Sequence, residues 1–303
     1  MVVVIADAAD QIFDALETKI WQRSNVIYWR LRYRNRSQPN PRKSLDMKIA
    51  TWNINSVKAR LPLLLDWLAQ AKPDVVCLQE IKCQTPDFPR LELEALGWHC
   101  AVLGQKSYNG VALLSREPTT DVITALPGDS GDEQARYIEG TVAGLRIACL
   151  YLPNGNPVGT DKYSYKLAWM TRLTAHAAGL LRDETPFVLA GDYNICPADE
   201  DVYDPVGWRE DALCRPESRR HFRQLVNLGL TEAYRLWHEG EPHRYSFWDY
   251  QAGRWPRDQG LRIDHFLLSP QASDRCLNCD IDRTPRGWER ASDHTPVWCE
   301  IAS

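Results

Sequence analysis

The segment MKIATWNIN, from Met47 to Asn55, marks an abrupt change in the character of the chain. An apolar run of this length that ends in polar residues predicts a buried strand. The preceding residues include RLRYRNRSQPNPRKS, which has no apolar periodicity and is typical of a disordered linker. We therefore predict a disordered extension over residues 1–46, with translation naturally starting at Met47, and one folded domain over residues 47–303. A genuine basic tail is the alternative.

Downstream of Met47, short apolar strands mix irregularly with amphipathic helices. The predicted strands are 48–53, 74–79, 110–115, 187–190, 262–268 and 296–301, with a hairpin over 138–152 that turns at Gly144. The predicted helices are 60–70, 162–182 and 217–228. Many short strands with several helices predict an α/β fold in which two packed sheets are flanked by helices.

Composition limits the functional classes only loosely. The 303 residues are 44% hydrophobic and 25% charged, which is typical of a globular protein with a sizeable core. No run of about 18 apolar residues is present, so we expect no membrane span. The opening residues lack the basic start of a secretory signal. A net charge of −4 gives no overall basic surface, although a local one remains compatible with it.

The nine cysteines are scattered and odd in number. This pattern favours reduced thiols, and hence a cytoplasmic protein, over a disulfide framework. One close pair, Cys276 and Cys279, has the spacing of zinc or redox sites, but no second pair completes such a site. We interpret both residues as ordinary thiols.

Polar side chains recur at the ends of predicted strands, and together they suggest one site. They are Asn53, Glu80, Asp192, Asn194, Asp264, Asp293 and His294. A single Asp after a strand is usually a turn residue, but five strand ends are harder to explain in that way. Oxygen ligands suit a hard cation such as Mg²⁺ better than zinc. A histidine beside such a cluster points to phosphate-ester hydrolysis.

Eight strings between Thr51 and Trp298 carry a family resemblance. They are TWNINSVKARL, DVVCLQEIK, YNGVALLS, YLPNG, KLAW, LAGDYN, GLRIDHFLLS and SDHTPVW. In this order they closely resemble the exonuclease III branch of apurinic/apyrimidinic endonucleases, in the endonuclease/exonuclease/phosphatase superfamily. The resemblance covers residues 47–303. It implies a deoxyribonuclease I-like, four-layer α/β-sandwich of two mixed sheets flanked by helices, with the site at one edge of the sheets.

The resemblance also implies a role for each residue at the strand ends. Glu80 resembles the principal metal ligand, and the implied metal region comprises Asn53, Glu80, Asp192, Asn194, Asp293 and His294 around Mg²⁺, with Mn²⁺ as an alternative ion. Asp192 and Asn194 would hold and activate the attacking water. His294 would bind the scissile phosphate, and Asp264 would orient His294. Tyr151 would lie against the phosphate, and whether Asp192 or Tyr151 activates the water stays open. Without the resemblance, Tyr151 would be read as packing and Asn53 as a turn residue.

The substrate is implied by strings outside the catalytic core, because the superfamily also contains inositol-phosphate phosphatases, sphingomyelinases, secreted nucleases and deadenylases. Phe247, Trp248, Leu261 and Ile263 match a pocket for an extruded abasic sugar, and Asn154 would contact sugar or phosphate. Core packing is the alternative for Phe247 and Trp248. The expected phosphate contacts, for which solvated surface charge is the alternative, are Lys58, Arg60, Lys106, Asn109 and Arg136.

The resemblance implies a monomer that acts on double-stranded DNA with abasic sites or blocked 3′ ends, in the cytoplasm and at the nucleoid if the source is bacterial. The implied reactions are magnesium-dependent incision 5′ to abasic sites and 3′→5′ exonuclease or 3′-end cleaning. We expect the loop 196–214 to influence the balance between them, which stays open. The alternatives are a superfamily phosphatase acting on a non-DNA phosphoester and a noncatalytic nucleic-acid-binding module.

Overall fold

The structure is a computed structural model that describes residues 46–303. The predicted extension over residues 1–46 therefore lies, apart from Asp46, outside the described residues. Within the described part of the chain, no helix has the length and apolar character needed to cross a membrane.

Twelve strands form two six-stranded sheets among the described residues. The first sheet has the order β11-β12-β1-β2-β4-β3 and comprises β1 (Met47–Asn53), β2 (Val75–Gln79), β3 (His99–Leu103), β4 (Val111–Ser115), β11 (Cys276–Ile281) and β12 (Val297–Ile301). The second has the order β5-β6-β7-β8-β10-β9 and comprises β5 (Thr120–Ile123), β6 (Tyr137–Val142), β7 (Leu145–Tyr151), β8 (Phe187–Asp192), β9 (Thr231–Glu232) and β10 (Asp264–Leu268).

The α-helices of the described residues are α1 (Val57–Ala71), α2 (Arg90–Glu94), α3 (Asp161–Arg182), α4 (Pro216–Asn227), α5 (Ala233–Trp237) and α6 (Pro270–Asp274). Short 3₁₀ turns lie at Thr85–Asp87, Asp199–Asp201, Gln251–Gly253 and Thr284–Gly287. The three helices predicted from periodicity correspond to α1, α3 and α4 within a few residues at each end.

The side-chain alternation of the strands determines the layers. In β1, Ile49 faces the core between the sheets, where it lies in one cluster with Val188 of β8. The next residue, Ala50, points to the other face and packs in a cluster with Trp67 of α1. The outer face of the second sheet packs against α3 and α4, where Trp169 and other apolar residues are buried. The expected four-layer α/β-sandwich is confirmed.

Each sheet contains one parallel pair at its centre, β1 with β2 and β7 with β8, whereas the other pairs are antiparallel. Parallel strands end at the same edge of a sheet. The carboxyl ends of the two pairs meet, because Nδ2 of Asn53 at the end of β1 donates a 3.0 Å hydrogen bond to Oδ2 of Asp192 at the end of β8. The predicted polar strand ends therefore come together at one edge of the sandwich.

Some strands had no prediction from the sequence. All four residues of strand β5 are exposed, without an alternation of buried and exposed positions. Strand β11 has a register irregularity between Cys276 and Asn278, which breaks the regular period of two. This irregularity lets Cys276 and Cys279 both lie in the core between the sheets, despite their spacing. All nine cysteines are free, and eight of them are buried, in agreement with the interpretation as ordinary thiols.

Candidate active site

Asn53 links two carboxylates at the edge where the sheets meet. Its Nδ2 donates to Oε1 of Glu80 at 2.8 Å and to Oδ2 of Asp192 at 3.0 Å. Its Oδ1 accepts a hydrogen bond from the main-chain N–H of Asn55. An asparagine binds a metal ion through its oxygen, but here the nitrogen of Asn53 faces the carboxylates. In this arrangement Asn53 orients Glu80 and Asp192. Its role as a metal ligand stays a prediction.

Glu80 follows β2 in a left-handed conformation, with φ of 49°. Such a conformation is strained for a residue other than glycine and is common at functional sites. Burial alone would raise the pKa of Glu80, but hydrogen bonds from Asn53 and Lys82 lower it. Nζ of Lys82 lies 2.7 Å from Oε2 of Glu80, and Tyr151 OH donates to Oε1 at 2.9 Å. Glu80 is therefore an ionised carboxylate, and its side chain is 19% exposed.

Asp192, Asp264 and His294 form a second group. The antiparallel pairing of β8 and β10 places its two aspartates next to each other. Asp264 is the register partner of Asp192 on these strands. Nδ1 of His294 donates to Oδ2 of Asp264 at 2.9 Å, and Nε2 of His294 lies 3.8 Å from Oδ2 of Asp192. The ligand atoms of the three residues lie within 4.8 Å of one another, and all three residues are buried.

The charges of this group follow from its burial. Burial alone would lower the pKa of His294, but Asp264 and Asp192 reverse this effect and raise it to about 10. Burial raises the pKa of Asp192 to about 7, against the opposing effect of His294. At neutral pH His294 is therefore a cation held between two carboxyl groups. The imidazole presents Nε2 toward Asp192, and the phosphate-binding and metal-binding roles of His294 both stay predictions.

Side chains behind His294 fix its orientation. Ser246 Oγ donates to Oδ2 of Asp264 at 2.6 Å, the same oxygen that accepts from His294. The ring of Phe247 lies 4.9 Å from the ring of His294, centroid to centroid. Trp52 Nε1 donates to the main-chain oxygen of His294 at 3.2 Å. The orientation of the imidazole is thus determined by contacts on several sides.

Asn194 and Asn154 lie together on the other side of Asp192. The main-chain N–H of Asn194 donates to Oδ1 of Asp192 at 2.9 Å, and Nδ2 of Asn154 donates to Oδ1 of Asn194 at 3.1 Å. Nδ2 of Asn194 donates to the main-chain oxygen of Leu152 at 3.0 Å. The structure thus brings Asn154, a predicted sugar or phosphate contact, together with Asn194 of the predicted water-binding pair.

Lys166 is a residue near the site that sequence reasoning missed. It is fully buried in α3, and its Nζ donates to the main-chain oxygens of Asn154 and Asn194, at 3.0 and 2.6 Å. Burial lowers its pKa to about 7. The available signal was a lysine within the apolar stripe that α3 forms with Trp169 and Met170.

Asp293 belongs to a chain of hydrogen bonds around Asn55. Nδ2 of Asn55 donates to Oδ1 of Asp293 at 3.0 Å, and Oδ1 of Asn55 accepts from Nζ of Lys82 at 2.6 Å. Through Lys82, this chain reaches Glu80. Asn55 and Lys82 were also missed, although both lie in strings that carry the resemblance.

The side chains at the edge fit a hard divalent cation. The carboxylates of Glu80 and Asp293 are only partly buried, and carboxylate oxygens are the ligands that such an ion prefers. The ammonium group of Lys82 already lies against Glu80, so a positive charge is compatible with this position. Asn194, in contrast, uses both of its side-chain atoms in hydrogen bonds to Leu152 and Asn154 in the loop after β7.

The predicted sugar pocket is only partly formed by the residues that were named for it. Phe247 is partly exposed and lies beside His294. Leu261 and Ile263 are buried in a cluster against which Phe247 packs, so they support its position. Trp248 is fully buried, and its Nε1 donates to Asp258 at 3.0 Å. Trp248 thus packs in the core, as the alternative for it predicts, and its role in a sugar pocket stays a prediction.

The expected phosphate contacts divide into two groups. Arg136 lies at the site, with its guanidinium 4.7 Å from the ring centroid of Tyr151 and Nη1 donating to the main-chain oxygen of that residue. Arg60 lies near Asn55 and donates to Tyr250 OH at 3.1 Å.

For the other three residues expected to contact phosphate, the structure shows other surroundings. Lys58 forms an exposed ion pair with Asp87 at 3.5 Å. Asn109 is buried, and its Nδ2 donates to Gln105. Lys106 is exposed. The described contacts therefore favour Arg136 and Arg60 as the phosphate contacts at the site.

Comparison with known proteins gives consistent similarities over most of the chain. The sequence profile of the Endonuclease/Exonuclease/phosphatase family matches residues 50–294. Exodeoxyribonuclease III of Haemophilus influenzae is 31% identical over 266 residues, which cover 84% of this chain and 100% of that protein. These matches confirm the resemblance carried by the eight strings.

Solved structures give the same result. The 3′ phosphatase NExo from Neisseria, solved bound to a product DNA hairpin, is 40% identical with a TM-score of 0.83, over 85% of this chain and 100% of that one. An AP endonuclease from Archaeoglobus fulgidus is 34% identical with a TM-score of 0.81, over 84% of this chain and 99% of that one. The deoxyribonuclease I-like architecture is thereby confirmed.

Proposed function

The chain belongs to the endonuclease/exonuclease/phosphatase family, and we propose that it is a magnesium-dependent DNA-repair phosphodiesterase. Its proposed reactions are incision 5′ to abasic sites and 3′→5′ trimming or cleaning of 3′ ends in duplex DNA. The observation that carries this proposal is the buried group of Asp192, His294 and Asp264 beside the ionised Glu80. This group combines a proton acceptor with a fixed cation, as hydrolysis of a phosphodiester requires.

Asp192 is the proposed base that takes a proton from the attacking water. Its pKa of about 7 lets it accept a proton near neutral pH, where a general base is most effective. Tyr151 was the alternative base. Burial, together with Glu80 and Asp192, raises the pKa of Tyr151 well above its usual value. A protonated phenol that donates to Glu80 supports Asp192 in this role.

His294 is the proposed cation for the scissile phosphate. Its raised pKa keeps the imidazole charged, and Asp264 and Ser246 fix its orientation. A fixed positive charge stabilises the negative charge that develops on the phosphoryl oxygens, and loss of one such group typically costs roughly 10²–10³ in rate. A bound Mg²⁺ ion would add charge neutralisation at the same oxygens, and Glu80, Asn53 and Asp293 are the residues that would hold it.

DNA is the substrate that the relatives support best. One relative is named exodeoxyribonuclease III, another an AP endonuclease, and a third was solved with a DNA hairpin. The partly exposed ring of Phe247 beside His294 gives an apolar wall where a sugar without a base would fit. A flipped nucleotide that lacks its base costs less to extrude than a paired one.

The experiment that tests the proposal uses a duplex with one synthetic abasic site. Incision is measured with Mg²⁺, with EDTA, and with the Glu80→Ala variant. We expect incision 5′ to the lesion that is lost with EDTA and in the variant. A second duplex with a 3′-phosphate end, assayed in parallel, separates incision from 3′-end cleaning and measures their balance.

The opposite outcome would also be informative. If neither duplex is processed while a small phosphoester releases phosphate under the same conditions, the proposal of a DNA substrate is wrong. The catalytic group would then serve another branch of the same family.

A further inference from the structure

Lys166 connects two loops that both reach the active site. The first loop contains Asn154, after β7, and the second contains Asn194, after β8. Nζ of Lys166 donates to the main-chain oxygen of each, at 3.0 and 2.6 Å. The side chains of the two asparagines are hydrogen-bonded to each other at 3.1 Å. One ammonium group therefore holds the backbones of both loops where their amides meet.

The burial of Lys166 indicates that this contact is specific. Its relative exposure is 0%, and an ammonium group is costly to bury unless hydrogen bonds replace its hydration. A methionine or leucine would fill a core position of α3 without this cost. The main-chain oxygens of Asn154 and Asn194 are the partners that offset it.

The backbone around Lys166 is adapted to it. Asn194 has φ of 47°, a left-handed conformation in which its oxygen meets Nζ of Lys166. Gly155 has φ of 87°, and a Cβ atom at this position would come within 2.6 Å of Cδ of Lys166. The stem of Lys166 thus packs directly below the first loop, where a larger residue would displace it.

We infer that Lys166 is a positioning residue for the reaction, which acts by holding Asn154 and Asn194 in register with Asp192. The inference rests on the proposed function. Asn194 is the link to the chemistry, because its main-chain N–H donates to Oδ1 of Asp192 at 2.9 Å. Without the ammonium group, the two main-chain oxygens lose their common donor and the amides lose their fixed separation. A displacement of about 1 Å near reacting groups can cost roughly 10² in rate.

The test is a double-mutant cycle with the variants Lys166→Met and Asn194→Ala, assayed on the abasic-site duplex under single-turnover and steady-state conditions. We expect Lys166→Met to reduce kcat by roughly 10–100-fold while KM changes by less than about 3-fold. In the Asn194→Ala background, the same substitution should cost less than in the wild type. The main-chain contacts remain there, but the amide contact between Asn194 and Asn154 that Lys166 holds is already absent. We expect Lys166→Arg to recover part of the activity, since a guanidinium also donates to two oxygens.

The matched control is Arg182→Met, which removes a positive charge from the exposed end of the same helix, about 24 Å away at 1.5 Å per residue. It should leave kcat and KM unchanged. Equal losses from Lys166→Met in both backgrounds would overturn the inference, and so would an unchanged kcat in folded protein. If Lys166→Met does not fold, the same cycle is run with Lys166→Gln, which is shorter and carries no charge. Wild-type incision in the same assay tests the proposed function separately, so the two can fail independently.

Discussion

Asn53 and Asp192 join the two sheets of the sandwich through one hydrogen bond of 3.0 Å between Nδ2 and Oδ2. They are the last residues of β1 and β8, and 139 positions separate them in the sequence. Because the same Nδ2 also donates to Glu80, the proposed base and the proposed metal ligand have a common neighbour. The chemistry of the site therefore depends on the packing of one sheet on the other.

Asp192→Asn should abolish cleavage and leave duplex binding nearly intact. Asparagine keeps the shape of the side chain but cannot take a proton from water, so we expect a loss of at least about 10³ in the single-turnover rate. Binding is measured by fluorescence anisotropy with a labelled duplex. The control is Asp199→Asn, an exposed residue paired with Arg219, which should stay active. Loss of folding or of binding in Asp192→Asn would contradict the catalytic assignment.

Glu80→Gln should raise the concentration of divalent cation that is needed for cleavage. Glutamine keeps the shape of the side chain but carries no negative charge, and Mg²⁺ prefers carboxylate ligands. Calorimetry with Mn²⁺ measures binding independently of activity, and we expect weaker binding by about tenfold or more. Glu94→Gln, at an exposed position, is the control. An unchanged affinity for Mn²⁺ would show that the ion binds elsewhere.

Ser56→Gly should stabilise the protein. Ser56 precedes α1 with φ of 86° and ψ of 102°. This conformation is strained for every residue except glycine. Glycine removes this cost, while the cap that Ser56 Oγ gives to Ala59 N is long, at 3.4 Å. The loss of the cap and the greater freedom of the unfolded chain both oppose this effect. After they are subtracted, we expect a net gain of about 1 kcal/mol in the free energy of unfolding.

Urea unfolding measures this gain. Ser56→Ala is the matched comparison, because it loses the cap and keeps the strained conformation, so it should be destabilised. If the two variants change stability by the same amount and in the same direction, backbone strain at position 56 is not the cause.

Glu139 should contribute to the loss of stability in acid. It is fully buried and accepts hydrogen bonds from Tyr137 OH, Arg146 Nη2 and His176 Nε2, at 2.7, 2.6 and 3.0 Å. Burial alone would raise its pKa, but the hydrogen bonds from His176 and Arg146 lower it from 4.5 to about 2. The folded state thus holds the proton less tightly than the unfolded state. The stabilisation is full above pH 4.5 and is lost as pH falls toward 2.

Glu139→Gln should therefore be destabilised by about 3 kcal/mol at neutral pH, because it leaves Arg146 without its buried counter-charge. Its stability should also fall less steeply between pH 4.5 and 2 than that of the wild type. Urea unfolding across this pH range measures both effects. An identical pH dependence in the two proteins would mean that other carboxyl groups account for the acid transition.

Most of the architecture could be predicted from the sequence, because it rests on local patterns. The apolar run before Asn53 and the hairpin that turns at Gly144 both appear in the structure as expected. Strand β5 could not be predicted, because it is exposed and has no apolar pattern. Strand β11 could not be predicted either, because the register irregularity at Cys276 interrupts the alternation of side chains on which strand prediction depends.

Part of the site could also be predicted from the sequence, and part could not. Asn53, Glu80 and Asp192 could be placed at strand ends from the sequence, and the strings around them gave the family. The pocket was only partly predictable, because the exposure of Phe247 and the burial of Trp248 depend on which side of one segment faces the core. Two neighbouring aromatic residues give the same sequence signal in either orientation.

The sequence by itself determined most of the strands, the polar residues that end them and the family, since each of these is encoded in contiguous residues. Only the tertiary structure decided that Asn53 contacts Asp192, that His294 is a buried cation, and that Lys166 lies beneath two loops. The physical reason is that these properties arise between segments far apart in the chain. Burial sets the cost of each charge, and only the packing of the two sheets and α3 determines which partner offsets that cost.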